Sequence, residues 1–185
     1  MNMLLQIIVF IAIMFAALAG AQNAEQGSKP SPAPEMQKLA KMLVGEWSVD
    51  EDFATGGTMP NGGKGTGHTV IRPGPGGFSL IEELVSNSPT VHQHNIIWWD
   101  KKAQGFKALG CEDFSGEGCG GEDGLGRWQG NEVVWQLSVE KDGKIVPAKI
   151  VWAEKGKGAF AATMYIADAN GTLRRDWTFL HTPVK

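Results

Sequence analysis

Two histidines on one extended segment are the first candidates for chemistry in this chain. His92 and His94 flank Gln93, so in a β-strand both imidazoles lie on the same face. Such a pair offers two nitrogen ligands to a metal ion, and His68 or Glu82 would have to supply a third. The alternative is a pair of histidines on an exposed face or at the mouth of a barrel. Two ligands are an unspecific signal, so the sequence predicts no metal site and leaves His92 and His94 as candidates only.

A cation on an apolar strand face is the second candidate. Strand alternation places Arg175 on the same face as Trp177 and Phe179, where a lone charge is costly unless it is paired or binds an anion. One interpretation is structural: the guanidinium stacks on Trp47 or pairs with Glu51. The other is functional: Arg175 binds the carboxylate of an acidic amphiphile such as a fatty acid.

The remaining histidine of interest is His181, close to the C-terminus. It would be a haem ligand inside a barrel, or simply a residue at the frayed end of the last strand. No nucleophile motif, phosphate-binding loop or zinc-protease motif is present. The sequence therefore predicts no catalytic residue and no cofactor.

Strand alternation also predicts which side chains face inward to line a cavity. Alternating apolar residues recur on each segment of the C-terminal half, and several of them are indoles. The predicted ligand-binding residues are Arg175, Trp135, Trp152, Met164, Trp177, Phe179 and Glu51.

The elements that would position these residues are one helix and a long series of strands. Residues 35–44 have helical periodicity, with a proline before the first turn and Gly45 after the last. From Glu46 onward the period is two, and Gly-, Asn-, Asp- and Pro-bearing turns separate the strands. The predicted strands are 46–53, 65–73, 78–87, 90–99, 105–114, 124–129, 132–140, 144–153, 159–167 and 172–182. A meander of that size closes or leaves exposed edges, so we predict an all-β, antiparallel, up-and-down, lipocalin-like barrel of about ten strands with a short N-terminal helix.

The N-terminal segment predicts export. Residues 1–21 combine an apolar run with small residues that fit a signal-peptidase site, and an uncleaved membrane anchor is the alternative. A Pro-rich linker, 22–34, and the barrel domain, 35–185, follow. We therefore expect a periplasmic or secreted protein with no stable membrane anchor after cleavage.

Charge and cysteine content narrow the class further. The net charge is −3 and no basic face is evident, so nucleic acid is not an expected partner. The cysteines are Cys111 and Cys119, and an even count in an exported chain predicts a disulfide, with two free thiols as the alternative.

Several segments carry a resemblance to a known family. They are residues 35–39 with 44–47, 72–80, 97–100, and 111–119 with 126–128. Through them the chain resembles a bacterial family of exported proteins that carry a domain of unknown function with a lipocalin-like β-barrel. Similarity to true lipocalins is confined to Gly45-x-Trp47 and an arginine in the last strand. The resemblance implies a fold, and a fold alone does not imply a function.

The predicted function is a secreted or periplasmic protein that binds a small apolar or amphipathic ligand in the barrel interior. One alternative is an enzyme of the barrel interior that uses His92, His94 or Glu51 in acid–base or metal chemistry. The other is a structural envelope module with a solid core. The oligomeric state does not follow from the sequence.

Overall fold

The strands that follow the helix form a continuous antiparallel meander. A computed structural model describes residues 30–87, 90–113, 118–121, 124–141 and 143–185. Within them Pro32–Lys185 is one compact unit. The strands are β1 (Gly45–Thr55), β2 (Asn61–Pro73), β3 (Ser79–Asn87), β4 (Thr90–Asp100), β5 (Gly105–Glu112), β6 (Gly118–Gly121), β7 (Leu125–Gln129), β8 (Glu132–Lys141), β9 (Lys144–Gly156), β10 (Ala159–Ala167) and β11 (Leu173–Pro183).

The meander closes into a barrel. The first and last strands pair with each other, with Val49 opposite His181, and β4 pairs along its length with β5. β5 joins β7 through one pair, Phe106 with Gly126, which completes a ring of ten strands. The short β6 lies outside the ring and pairs only with β5 among the described strands. The predicted antiparallel barrel of about ten strands with an N-terminal helix is confirmed; the glycine-rich β6 was not predicted.

A short α-helix covers one end of the barrel. The helix α1 spans Pro34–Leu43, with proline in its first turn, Glu35 near its N-terminus and Lys41 in its last turn, as the helix dipole favours. Met36, Leu39 and Leu43 are almost fully buried and pack into the core cluster. That cluster includes residues from the start of β1, the end of β4 and the start of β5, so the plugged end is the one at which β1 begins.

The Gly45-x-Trp47 motif joins the helix to the barrel. The indole Nε1 of Trp47 donates a hydrogen bond of 2.9 Å to the carbonyl of Leu43, one of the last carbonyls of the helix. A Cβ on Gly45 would lie 3.1 Å from the Trp47 ring, so glycine allows the indole to fold back over the chain. Trp47 also packs edge-on against Phe160 on β10, with ring centroids 4.9 Å apart. The motif thus holds α1 against the barrel end.

The predicted signal segment, 1–21, and residues 22–29 of the predicted linker lie outside the described residues. Among the helices that the structure describes, none has the length and apolarity needed to cross a membrane.

Candidate functional site

The barrel contains a partly open cavity of about 320 Å³. Leu43 of α1, Ile71 and Phe160 line it and also belong to the core cluster next to α1. Five of the seven ligand-binding residues that the sequence predicted line the cavity, namely Trp135, Trp152, Met164, Trp177 and Phe179, and Arg175 and Glu51 do not.

The aromatic side chains of the wall hold one another in place. Trp135 and Trp152 meet edge-on with centroids 5.2 Å apart, and Trp177 lies 4.5 Å from Phe179. A Cβ on Gly126 would lie 2.8 Å from the Trp135 ring, so glycine on β7 makes room for that indole. The Nε1 of Trp135 is buried and has no hydrogen-bond partner among the described residues. The wall is therefore an aromatic surface that contains a buried donor without a hydrogen-bond partner among the described residues.

Three polar side chains of β3 and β4 form a hydrogen-bonded row on the opposite wall, here called the polar strip. The amide of Gln93 donates to the Asn95 Oδ1 at 3.2 Å, and the Asn95 amide donates to the Glu82 Oε2 at 2.7 Å. All three line the cavity. Gly110 lies opposite Asn95 on β5, and a Cβ there would be 2.9 Å from the Asn95 Oδ1. Glycine at 110 therefore leaves space for the strip.

The carboxyl group of Glu82 is the polar end of this strip. Burial raises the pKa of Glu82, and the hydrogen bond from Asn95 opposes that rise. The side chain is only half-buried by surface area, because its remaining surface belongs to the cavity. Neither lysine nor arginine occurs among the described residues that line the cavity. A charged Glu82 therefore has no lysine or arginine among the described lining residues to neutralise it.

His181 also lines the cavity, near the helix end. It is 3% exposed, and its ring stacks on Phe160 with centroids 4.1 Å apart. Burial lowers the pKa of His181 to about 4, against a backbone hydrogen bond with Phe179 that raises it, so the imidazole is neutral at physiological pH. Its Nδ1 has no partner among the described residues. The interpretation of His181 as a frayed strand end is wrong, since β11 continues to Pro183 and pairs with β1 there.

Glu51 is buried but is not among the cavity-lining residues. Its Oε2 accepts a hydrogen bond of 2.8 Å from Ser86 on β3, across the intervening strand β2. Gly67 on β2 permits this crossing, since a Cβ there would lie 2.9 Å from the Glu51 Oε1. Burial raises the pKa of Glu51, and the bond from Ser86 opposes it. The structure thus places this predicted ligand-binding residue within the wall.

Arg175 does not face the cavity, contrary to the sequence prediction. Its Nη1 lies 3.0 Å from the carbonyl of Asp52 and 3.4 Å from the Asp52 carboxylate, and it contacts neither Trp47 nor Glu51. The reason is a register shift: Met164 pairs with Trp177, but the next residue of β10 pairs with Arg175, so Asp176 is an extra residue in β11. A bulge of this kind reverses the inward and outward alternation on one side of it.

The extra residue, Asp176, fastens a loop at the end of the barrel opposite α1. It is 3% exposed and accepts two hydrogen bonds from Thr58 in the β1–β2 turn, from the backbone N–H at 2.7 Å and from the hydroxyl at 2.6 Å. A Cβ on Gly57 would collide with the Asp176 carboxylate. Arg174, two residues before Asp176 on β11, pairs instead with Asp168 at 3.1 Å.

The histidines of the possible metal pair are exposed on the outer face of β4. Glu82, one proposed third ligand, faces the cavity on the other side of the sheet. The other, His68, lies 3.0 Å from Glu46. Among the described residues no group of three or more His, Cys, Asp or Glu side chains is arranged to hold a metal ion. The geometry therefore does not bring His92 or His94 into barrel-interior chemistry.

The two cysteines are directly opposed on β5 and β6 and form a disulfide, with Cα atoms 4.0 Å apart. Cys111 and Cys119 are therefore paired as predicted. The bond ties the short β6, which lies outside the ring, to the barrel.

Sequence reasoning missed the polar strip. Glu82 entered only as a possible metal ligand, and Asn95 and Gln93 were not considered. A signal was present, because Leu80, Glu82 and Leu84 share one strand face and an acid between two buried leucines faces the core. The partners of Glu82 depend on the β3–β4 register, with Glu82 opposite Asn95.

Comparison with known proteins supports the fold. No family model and no curated protein matches the chain. The chain is similar in structure to Rv2717c from M. tuberculosis, known from a crystal structure, with a TM-score of 0.56 and 11% sequence identity. The alignment covers 84% of this chain and 100% of the other. At that identity the likeness shows a shared barrel and nothing about ligand or activity. The resemblance to an exported family is thus supported at the level of a barrel only.

Proposed function

We propose that this protein is an exported binding protein that holds a small apolar or amphipathic molecule inside its barrel. The observation that carries the proposal is the cavity of about 320 Å³ between the aromatic wall and the polar strip. Small-molecule sites are concave, largely apolar and furnished with a few polar groups, and they measure about 300–1,000 Å³. The cavity lies at the lower end of that range, which favours a compact ligand.

The cavity also supports binding over the alternative of a solid structural core. A solid core is close-packed and contains few voids larger than a water molecule, so a space of this size does not fit that alternative. A ligand in the cavity would contact the surrounding side chains on several sides. The walls of the proposed site are Trp135, Trp152, Met164, Trp177 and Phe179; Arg175 and Glu51 are not part of it, because neither lines the cavity.

Export is the second element of the proposal. The disulfide between Cys111 and Cys119 supports an oxidising compartment. The signal-like sequence of residues 1–21 points the same way. Together they favour the periplasm or the exterior of the cell as the compartment in which the protein binds its ligand.

Binding is tested by native mass spectrometry of the protein purified without denaturant, followed by titration with an apolar fluorescent probe. We expect either a co-purified molecule or saturable probe binding at one site per chain. An unliganded protein that binds neither the probe nor any compound of an apolar and amphipathic panel would refute the proposed function.

A further inference from the structure

The cavity combines aromatic walls, one carboxyl group and no cationic side chain among its described lining residues, and that combination selects for one charge type in a ligand. We propose that the ligand is a small organic cation, a protonated amine on an apolar body, with its ammonium group at Glu82. This inference rests on the proposed function and adds the chemical class of the ligand.

The polar strip orients the Glu82 carboxyl group and makes it the hydrogen-bond acceptor at the end of the row. Gln93 donates to Asn95 and Asn95 donates to the Oε2 of Glu82, so every assigned hydrogen bond of the strip runs toward the carboxyl group. The other oxygen, Oε1, belongs to a side chain whose remaining surface faces the cavity. A ligand group placed there meets an acceptor that two amides in series have oriented, and an ammonium group is the donor that gains most from it.

The aromatic wall strengthens the same preference. Trp135, Trp152 and Trp177 line the cavity, and the face of an indole attracts a cation more strongly than that of any other side chain. The chain already uses this contact elsewhere, since the Nζ of Lys38 lies 3.7 Å above the ring centroid of Trp128. No described lining residue of the cavity is a lysine or arginine, so there a ligand would supply the cation.

The alternatives fit less well. A fatty acid or other carboxylate would place a second negative group beside Glu82 with no lysine or arginine in the described lining to neutralise either one. Among the described lining residues the titratable groups are Glu82 and His181, and His181 is neutral near pH 7 because burial lowers its pKa to about 4. Burial raises the pKa of Glu82 in the empty site, and an ammonium ligand would reverse that rise by stabilising the carboxylate.

The test uses three probes with the same phenylethyl body: 2-phenylethylamine, 2-phenylethanol and 3-phenylpropanoate. Calorimetric titration of the purified protein near neutral pH should give the amine an affinity at least about tenfold above the alcohol, with the carboxylate weakest. Glu82→Gln should bring the amine to within about threefold of the alcohol, because the amide keeps the shape of the side chain and removes its charge. The matched control is Glu83→Gln, the adjacent carboxylate, which is exposed and pairs with Arg72 at 2.6 Å; it should retain the full preference.

Each outcome decides the inference. Equal affinities, a preference for the carboxylate, or loss of the amine preference in both variants would overturn the assignment of an organic cation while leaving a binding barrel intact. If none of the three probes binds and the apolar fluorescent probe does not bind either, the proposed function fails together with the inference. The wild-type comparison of the three probes stands even if Glu82→Gln does not fold.

Discussion

Partial filling of the cavity should stabilise the barrel and weaken ligand binding in the same variant. Ala108 is the position of choice, because it lines the cavity and lies opposite Ile97 on β4, next to the polar strip. Leucine adds three carbon atoms, worth about 0.8 kcal/mol each when buried, against roughly 0.5–1 kcal/mol of lost rotamer freedom. The available 320 Å³ accommodates the larger side chain without displacing its neighbours. We therefore expect Ala108→Leu to raise the free energy of unfolding by about 1.5 kcal/mol.

Urea denaturation and thermal melting measure the first effect, and probe titration measures the second. The denaturation midpoint should rise with an unchanged m-value, and the melting temperature should rise by roughly 3–6 °C for a domain of this size. Affinity for a cavity ligand should fall by more than about tenfold, since the added side chain occupies the ligand's space. A loss of stability greater than about 1 kcal/mol would mean that the space is not available. An unchanged affinity would place the ligand outside the barrel.

Three further outcomes follow from contacts described above. Asp176→Ala should cost about 3 kcal/mol of stability, because it leaves the N–H and hydroxyl of Thr58 without their acceptor; a change below about 0.5 kcal/mol in urea denaturation would contradict the loop contact. Burial lowers the pKa of His181 from 6.5 to about 4, so the stability that the neutral imidazole allows, about 3 kcal/mol, is fully present above pH 6.5 and is lost as the pH falls toward 4. His181→Phe should flatten the dependence of the free energy of unfolding on pH between 4 and 6.5. An unchanged slope would refute this assignment. Reduction of the Cys111–Cys119 disulfide should lower the free energy of unfolding by about 2–3 kcal/mol, as expected for a short closed loop, and identical melting with and without reductant would show that the bond contributes nothing.

The sequence predicted the barrel because every strand carries its own signal. The two-residue period is strong along β8 and β10, and turn residues such as Asn170-Gly171 separate the strands. The same period identified the indoles of the wall, since burial on one face of a strand needs no knowledge of its neighbours. These features depend on residues that are close in the sequence, so they can be predicted without knowledge of the strand pairing.

The features that the sequence did not predict depend on pairing between strands. Apolar and polar residues alternate regularly around Arg175, so the sequence does not indicate that Asp176 is an extra residue in β11. The polar strip likewise exists only because Glu82 meets Asn95 across the β3–β4 register. The sequence prediction placed a cation, Arg175, at the polar end of the site, whereas the structure places an acid, Glu82, there. The ligand charge that we expect is therefore positive and not negative.

The central claim, that a small molecule binds inside the barrel, is tested most directly by nuclear magnetic resonance of the indole N–H groups. The ligands are the apolar fluorescent probe and then each of the three phenylethyl probes, and Trp→Phe variants assign the signals. Saturable shifts with any one of these ligands count as binding. We expect saturable shifts for Trp135, Trp152 and Trp177, which line the cavity, and no shift for Trp98, which does not line it. Absence of saturable shifts at the three cavity indoles, or shifts confined to Trp98, would contradict the claim.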